Sequence, residues 1–147
     1  MIKGQDYPGV TIVYFCHDGK GSVVMAKRGK NARDEHGRWD IGAGGLELGE
    51  TIENTLRREI KEEYCTDVLE FEFLGFRDLH RKHNDQKTHW IGLDFKVLVD
   101  PTKVKIGEPH KFDDLKWFSF EELPNLPKNK VHSQFPVFWQ SYRNTLI

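Results

Sequence analysis

The sequence is poor in cysteine, with only Cys16 and Cys65 among 147 residues. Two cysteines are too few for a disulfide framework, although they could still form a single bridge. A reduced, cytoplasmic setting is therefore expected.

Long apolar runs are also missing. No stretch approaches the ~18 consecutive apolar residues that a membrane-spanning helix needs. The N-terminal sequence MIKGQDYPGV lacks the apolar run of a signal peptide. We therefore expect a protein that neither spans nor binds a membrane.

Net charge is almost absent, since 22 Lys and Arg residues face 23 Asp and Glu residues and give a formal charge of -1. Such a balance excludes the overall basic surface that is typical of nucleic-acid binding. Any anionic substrate would have to be attracted by a local arrangement of charges.

Internal repeats, low-complexity tracts and breaks in composition are absent as well. The chain is 37% hydrophobic and 31% charged, which is typical of a globular protein. Its length is near the common domain size, so we expect one domain over residues 1–147.

Periodicity predicts an α/β domain with helices packed on a mixed sheet. Residues 10–17 and 22–28 are expected to form a hairpin, because the Asp18-Gly19 turn signal separates them. Further predicted strands are 69–79, 88–100 and 114–120, with loops at 29–38 and 80–87.

Two helices are predicted in the C-terminal part of the chain. The aromatic residues of 133–146 recur at helical spacing and are expected to pack on the sheet. Ser119 and Glu122 form a capping-box pattern, which predicts a short helix ending near Leu123-Pro124.

The segment 39–50, WDIGAGGLELGE, holds four glycines in twelve residues. That is too many for a helix or for the interior of a regular strand. It predicts a short strand followed by a tight loop whose backbone can approach a neighbouring helix closely.

A helix should follow from Thr51, its expected N-cap, to about Tyr64. Ile52, Leu56, Ile60 and Tyr64 recur every four residues and predict the buried stripe of this helix.

Three glutamates, Glu59, Glu62 and Glu63, share one face of that helix at i, i+3, i+4 spacing. Like charges so placed repel by a few tenths of a kcal/mol per pair, roughly the size of other i,i+4 effects. They border the buried stripe, which suggests a binding function. The alternative is a solvated helix surface with i,i+4 ion pairs such as Arg58–Glu62.

The spacing around these glutamates carries a specific signature. From Gly44 the sequence reads G-x5-E-x7-R-E-I-x-E-E, which includes Glu50 and Arg58. It resembles the box of the Nudix hydrolase family, G-x5-E-x7-R-E-U-x-E-E-x-G-U, where U is aliphatic. Seven of the nine specified positions match over residues 44–66. Cys65 and Thr66 depart from the pattern.

The resemblance implies a fold and a reaction. The expected fold is an αβα sandwich around a mixed sheet. The expected reaction is the Mg²⁺- or Mn²⁺-dependent hydrolysis of a nucleoside diphosphate linked to another group. By resemblance, the metal ligands are Glu59, Glu62 and Glu63, while Glu50 assists from the loop and Arg58 orients the carboxylates. Cys65, standing where the family has the glycine that ends the helix, is expected to shift the helix cap.

Elementary electrostatics agrees with this expectation. A diphosphate and a cluster of carboxylates are both anions, so cations must lie between them when they meet. Carboxylate oxygens suit Mg²⁺ or Mn²⁺, which can bridge them to phosphate oxygens.

Other site residues are less sharply defined. Glu108 is the candidate for an additional metal ligand or general base, with Asp113 and Asp114 as competitors. The predicted substrate-binding residues are Arg28, Gly44 and Gly45. Strand alternation allows only one of Lys27 and Arg28 to enter the site.

For recognition of a base or sugar, the candidates are His80, His83, His89, Trp39, Trp90 and Phe112. The two tryptophans are expected to serve in the core. The basic loop 80–87 is expected to be a solvated tip, although it could also grip phosphates.

Two other function classes compete with hydrolysis. Ala43 stands where the family commonly has proline, which makes the loop similar to that of isopentenyl diphosphate isomerases of the same fold. The other competitor is a non-catalytic nucleotide-sensing module. The sequence selects neither a particular nucleotide nor between a monomer and a homodimer.

Overall fold

A computed structural model describes residues 1–147 and contains seven strands and two α-helices. None of the helices in the structure is long and apolar enough to span a bilayer. The elements in chain order are β1 Gly9–His17, β2 Ser22–Arg28, β3 Trp39–Asp40, β4 Gly42–Gly45, α1 Ile52–Tyr64, β5 Val68–His83, β6 Gln86–Val99, β7 Phe112–Ser119 and α2 Phe135–Leu146.

The strands form one mixed sheet of order β3-β2-β1-β6-β5, in which β4 also pairs with β1 and β7 with β2. β1 is parallel to β6, while the other pairs are antiparallel. The predicted β1–β2 hairpin has its turn, but the strands pair only at His17 and Val23. Beyond that point β1 pairs with β4 and β2 pairs with β7, so β1 and β2 separate along the rest of their length.

Two apolar cores lie on opposite faces of the sheet. Because side chains alternate along a strand, β1 sends Ile12, Tyr14 and Cys16 to the core beneath α1. Val13 and Phe15 point to the core beneath α2. Helices therefore cover both faces, and the predicted mixed-sheet αβα sandwich is confirmed.

Helix α1 begins as the sequence predicts. The Thr51 Oγ1 accepts a hydrogen bond of 3.1 Å from the backbone N–H of Asn54. Leu56, Ile60 and Tyr64 are fully buried. Ile52 is 42% exposed, so its predicted burial is wrong. It lies in the first turn, before the helix passes over the sheet.

The end of α1 shows how the chain accommodates Cys65. This residue takes the left-handed conformation itself, with φ 59°, and its N–H bonds to the Lys61 carbonyl at 3.0 Å. The expected shift of the cap is therefore wrong. Gly107 then donates its N–H to the Glu63 carbonyl, and a β-carbon on Gly107 would lie 1.9 Å from the Glu62 carbonyl oxygen.

Replacing Cys65 by glycine should stabilise the protein by about 0.5–1 kcal/mol. A left-handed conformation costs a non-glycine residue about 1–2 kcal/mol, and the added freedom of glycine in the unfolded chain offsets part of the gain. Chemical denaturation measures the change. Cys65→Ala is the control, since it removes the thiol and keeps the strained backbone. An equal gain from alanine would contradict the explanation.

Three loop or helix predictions are wrong. The glycine segment 42–45 is strand β4, paired with β1. The expected loop 80–87 belongs mostly to β5 and β6, because Asn84 and Asp85 (φ 51° and 61°) make a two-residue turn typical of type I′. Glu122 does contact Ser119, but the next residues form only a 3₁₀ turn at Leu123–Asn125.

Candidate functional site

The glycine strand β4 lies directly against α1. A β-carbon on Gly44 would be 2.1 Å from the Cδ of Glu59, and one on Gly42 would be 1.8 Å from the Tyr14 ring. Neither glycine has the positive φ that would demand glycine for the backbone. Gly44 is needed because β4 and α1 approach too closely for a side chain between them, and Gly42 because the Tyr14 ring of the neighbouring strand β1 covers it.

Arg58 gathers three carboxylates. Its Nε and Nη2 donate to the two oxygens of Glu50 at 2.7 and 2.9 Å. Its Nη1 donates to Glu59 at 2.9 Å and to Glu62 at 3.3 Å. A single guanidinium therefore offsets the repulsion among side chains from the loop and from the helix.

Glu50 is held in its charged form. The hydrogen bonds from Arg58, supported by one of 2.9 Å from Thr55 Oγ1, lower the pKa of Glu50 to about 2. It is therefore ionised at neutral pH and held in one orientation by these three hydrogen bonds.

Glu63 has a different environment. Its side chain is 1% exposed, and its Oε2 has no hydrogen-bond partner. The nearest cation is Lys111, with its Nζ 4.0 Å from the Glu63 Oε1. Burial raises the pKa of Glu63 to about 8 despite the charge of Lys111. The pKa of Glu59 is also raised, chiefly by burial.

The three predicted metal ligands share one helix face but do not converge. Two other groups in the chain offer three ligand atoms within 4.8 Å of one another, namely Asp78, His80, His89 and Asp34, Glu35, His132. Glu59 and Glu62 instead accept hydrogen bonds from Arg58, while the Glu63 side chain is buried. Even so, the unpartnered, buried oxygen of Glu63 is a hard ligand that a divalent cation would satisfy, and the charge of Glu59 acts on it.

The candidate for the additional acidic group also lies here. Glu108 is close enough for its charge to contribute to the raised pKa of Glu63. Asp113 lies beside Gly29, and Asp114 pairs with Lys27 across the strands. Of the three candidates, Glu108 is therefore the one whose charge contributes to the raised pKa of the buried carboxyl.

A cavity of about 340 Å³ adjoins the carboxylates and shares Lys111 and Gly44 with them. This volume lies in the range of small-molecule sites, roughly 300–1,000 Å³. Its lining includes five basic side chains, Arg28, Arg33, Arg77, Arg81 and Lys111. Its aromatic members are Trp90, Phe135 and Phe138. Asp34 and Asp40 also line it. Arg28, Arg77 and Arg81 are paired with carboxylates, which leaves Arg33 and Lys111 as the cations for an anionic ligand.

The predicted substrate-binding residues all line this cavity. Arg28 does so, whereas Lys27 does not, and Gly44 and Gly45 are both on its wall. The Arg28 guanidinium is already engaged, since its Nη2 donates to Asp34 Oδ1 at 3.0 Å. It therefore lies beside the cavity as a member of an ion pair rather than as a free charge.

Of the six residues considered for base or sugar recognition, only one lines the cavity. Trp90 lines the cavity, but His80, His83 and His89 do not. Phe112 belongs to the core beneath α1, and Trp39 packs edge-on against Phe118. Of the basic residues of 80–87, only Arg81 reaches the cavity.

Sequence reasoning missed the network that joins the cavity wall. Glu35 accepts hydrogen bonds from the Ser133 backbone and hydroxyl at 2.7 and 2.8 Å and pairs with Arg81 and with His132. These residues are far apart in sequence, so no local spacing could indicate their contact. Alternation along β5 was a usable signal, because Arg77, Leu79 and Arg81 share one face.

The raised pKa of Glu63 predicts a pH dependence for the metal-free protein. The folded state keeps a proton on Glu63 up to about pH 8, while the unfolded carboxyl loses it near pH 4.5. The unfolding free energy should therefore fall as pH rises through this window, by up to about 1.4 kcal/mol per pH unit. Denaturation in chelator, compared with Glu63→Gln, measures this fall. Identical slopes for the two proteins would contradict the assignment.

Comparison with known proteins places this geometry in a family. The model for the NUDIX domain matches residues 7–138. Nucleoside triphosphatase NudI of Escherichia coli K12 is 31% identical over 126 residues, covering 81% of this chain and 88% of the relative. NudI of Enterobacter sp. strain 638 is 29% identical and covers 82% and 89%.

Solved structures agree on the fold. The MutT NUDIX hydrolase from Burkholderia pseudomallei superposes with a TM-score of 0.76 at 23% identity, covering 92% of this chain and 98% of that one. The NUDIX domain of Shewanella oneidensis NrtR, solved with ADP ribose, also gives 0.76, at 16% identity and with coverage of 97% and 90%. At these identities the likeness shows the fold alone.

Proposed function

The chain belongs to the NUDIX family and is a Nudix hydrolase, and on this premise we propose that it is a metal-dependent pyrophosphohydrolase of nucleoside triphosphates. The observation that carries the proposal is the arrangement around Glu63. An unpartnered buried carboxylate oxygen lies beside Glu59, on a helix whose other carboxylates are gathered by Arg58.

The chain's own residues supply positioning and charge. Arg58, fixed by Glu50, holds Glu62 at the exposed surface of α1 and the half-buried Glu59 beside it, while Glu63 lies in the interior. These three glutamates would hold Mg²⁺ or Mn²⁺, with Glu108 adjacent. When bound, the ion supplies charge neutralisation at the diphosphate and activates water for attack at phosphorus.

The cavity would hold the nucleoside portion of the substrate. Lys111 and the glycine strand are common to the cavity and the carboxylate group, so a ligand can extend from one to the other. Trp90, which is only partly buried, offers a surface for a base, and Arg33, which forms no ion pair, offers positive charge for phosphate oxygens.

Nucleoside triphosphates are the first substrates to test, because the two NudI relatives carry that activity in their names. Hydrolysis would convert the triphosphate and water into a nucleoside monophosphate and pyrophosphate. NDP-sugars and ADP-ribose are the other compounds that this chemistry could cleave.

The isomerase alternative requires a catalytic cysteine, and the cavity lining contains none. Neither cysteine lines the cavity, since Cys16 is buried in the core beneath α1 and Cys65 lies at the end of α1. A cysteine-dependent reaction on a ligand in this cavity would therefore lack its nucleophile or acid.

A substrate panel tests the proposal. The purified protein is incubated with ribo- and deoxyribonucleoside triphosphates, ADP-ribose, an NDP-sugar and isopentenyl diphosphate, each with Mg²⁺, with Mn²⁺ or with chelator. We expect monophosphate and pyrophosphate from at least one triphosphate, and no product in chelator. Tight nucleotide binding without turnover would favour the sensing module, and isomerised prenyl diphosphate would favour the isomerase.

A further inference from the structure

Two histidines face each other across the hairpin that β5 and β6 form. His80 and His89 are direct partners in the register of these strands, and their ring centroids lie 4.3 Å apart with the rings inclined by 27°. The backbone N–H of His89 donates to the Gly4 carbonyl at 2.8 Å rather than to β5. In an antiparallel pair of this non-hydrogen-bonded kind, the two side chains lie closest together.

A carboxylate lies beside the two rings. Asp78 precedes His80 by two residues and is therefore on the same face of β5. Its Oδ1 is 2.9 Å from the His89 Nε2, and the three side chains each offer one ligand atom within 4.8 Å of the other two. Asp78, His80 and His89 thus form one group, the hairpin cluster.

The hairpin cluster is separate from the site proposed for hydrolysis. Leu79 and Arg81 line the cavity, so alternation along β5 turns Asp78 and His80 to the opposite face of the sheet. None of the three residues of the cluster lines the cavity, and none contacts Arg58 or the carboxylates that it gathers.

The cluster differs from the other group of three possible ligand atoms in its charge balance. In that other group, Arg81 pairs with both Asp34 and Glu35, so the protein already supplies a cation. In the hairpin cluster, Asp78 pairs with His89 and with no lysine or arginine. The His89 and Asp78 side chains are 37% and 62% exposed, so an ion can reach them from solvent.

We propose that the hairpin cluster binds a transition-metal ion of the Zn²⁺ type through one nitrogen of each histidine and one oxygen of Asp78. Two imidazoles and one carboxylate are ligands typical of Zn²⁺, Ni²⁺ or Cu²⁺, whereas Mg²⁺ and Mn²⁺ prefer oxygen ligands. A tetrahedral zinc ion separates its ligand atoms by about 3.3 Å, so rotation of these side chains is enough to close the group. Three protein ligands leave the fourth position for water.

The surroundings of the cluster permit such an ion and give it a structural effect. Lys82 and Lys87 form the next pair on this face, but both are exposed, so solvent screens their charges. The ion would join β5 to β6, the strands that carry Arg81 and Trp90 to the cavity wall. Because it would bind the folded hairpin in preference to the unfolded chain, it should stabilise the protein. This site does not depend on the proposed hydrolysis.

Calorimetric titration with Zn²⁺ tests the site. His80→Ala and His89→Ala should each weaken binding by at least roughly tenfold, because even the outer partners of metal ligands are worth about 10–100-fold in affinity. The same losses should appear in a Glu63→Gln background, which separates the hairpin cluster from the carboxylates of α1. In that background Zn²⁺ should raise the unfolding temperature, and it should no longer do so once both histidines are replaced.

A third histidine of the hairpin provides the matched control. His83 is on β5 but on the opposite face from the cluster, so His83→Ala should bind Zn²⁺ as the wild type does. Nuclear magnetic resonance of the imidazole rings should show the His80 and His89 signals changing with Zn²⁺ and the His83 signals unchanged. Affinity that survives His80→Ala and His89→Ala, an equal loss in His83→Ala, or unresponsive His89 signals would each overturn the inference.

Discussion

Glu63→Gln should lower metal-dependent turnover by at least roughly a thousandfold while the protein remains folded. The amide has the same shape as the carboxyl but cannot offer an anionic oxygen to a cation. Glu63 is fully buried, and its Oε2 has no partner in the protein, so the substitution breaks no hydrogen bond at that atom. Steady-state kinetics with Mg²⁺ and with Mn²⁺ measures the loss.

The same variant separates a metal ligand from a structural residue. Because burial disfavours the charged form of Glu63, the variant should be at least as stable as the wild type in chelator at pH 8. Calorimetric titration with Mn²⁺ should show weaker binding. Glu53→Gln is the control, since Glu53 is an exposed glutamate of the same helix paired with Arg57. Turnover of Glu63→Gln within threefold of the wild type would refute the assignment.

Helix α1 was predictable because its determinants are local. The cap at Thr51, the stripe of Leu56, Ile60 and Tyr64, and the spacing of the glutamates all lie within one short segment. Each of these determinants depends on residues three or four positions away, so it can be recognised without knowing how the rest of the chain folds.

The glycine strand was missed because its pairing is not local. Nothing in the segment 42–45 favours a strand, since glycine weakens strands and has no side chain to pack. It becomes β4 because β1, some 30 residues earlier, leaves β2 and offers a free edge. The glycines then serve to bring that edge against Tyr14 and Glu59.

The cavity was unpredictable for a similar reason. Its walls include residues from all of β1 to β6, from the loop 29–38 and from α2, and Glu35 connects segments separated by 98 positions in the sequence. Motif spacing describes only the helix and the loop before it. The carboxylates of α1 could therefore be located from the sequence, but not the residues that line the cavity.

The two departures from the family pattern also have structural explanations. Cys65 ends the helix at the family position by adopting the left-handed conformation. Thr66 is fully buried where the family has an aliphatic residue, and its Oγ1 donates to the Asp100 carbonyl at 2.6 Å. Both changes lie beyond the carboxylates, so neither alters the contacts of Arg58.

Gly44→Ala should reduce kcat/KM by about a hundredfold, although it introduces only one methyl group. The new β-carbon would lie 2.1 Å from the Cδ of Glu59 and 2.4 Å from its Oε2, so the carboxylate must move. A displacement of about 1 Å in a catalytic group can cost on the order of a hundredfold in rate. Kinetics under saturating metal measures the loss.

The neighbouring glycine provides the comparison for this variant. A β-carbon on Gly45 would meet nothing nearer than Trp90 Cζ3 at 4.0 Å, so Gly45→Ala should lose less than roughly tenfold even though it borders the cavity. In a Glu59→Ala background, adding Gly44→Ala should have little further effect, because the side chain that it displaces is gone. Equal losses from the two glycine variants, or additivity with Glu59→Ala, would mean that β4 itself is distorted and that the Glu59 contact is not the cause.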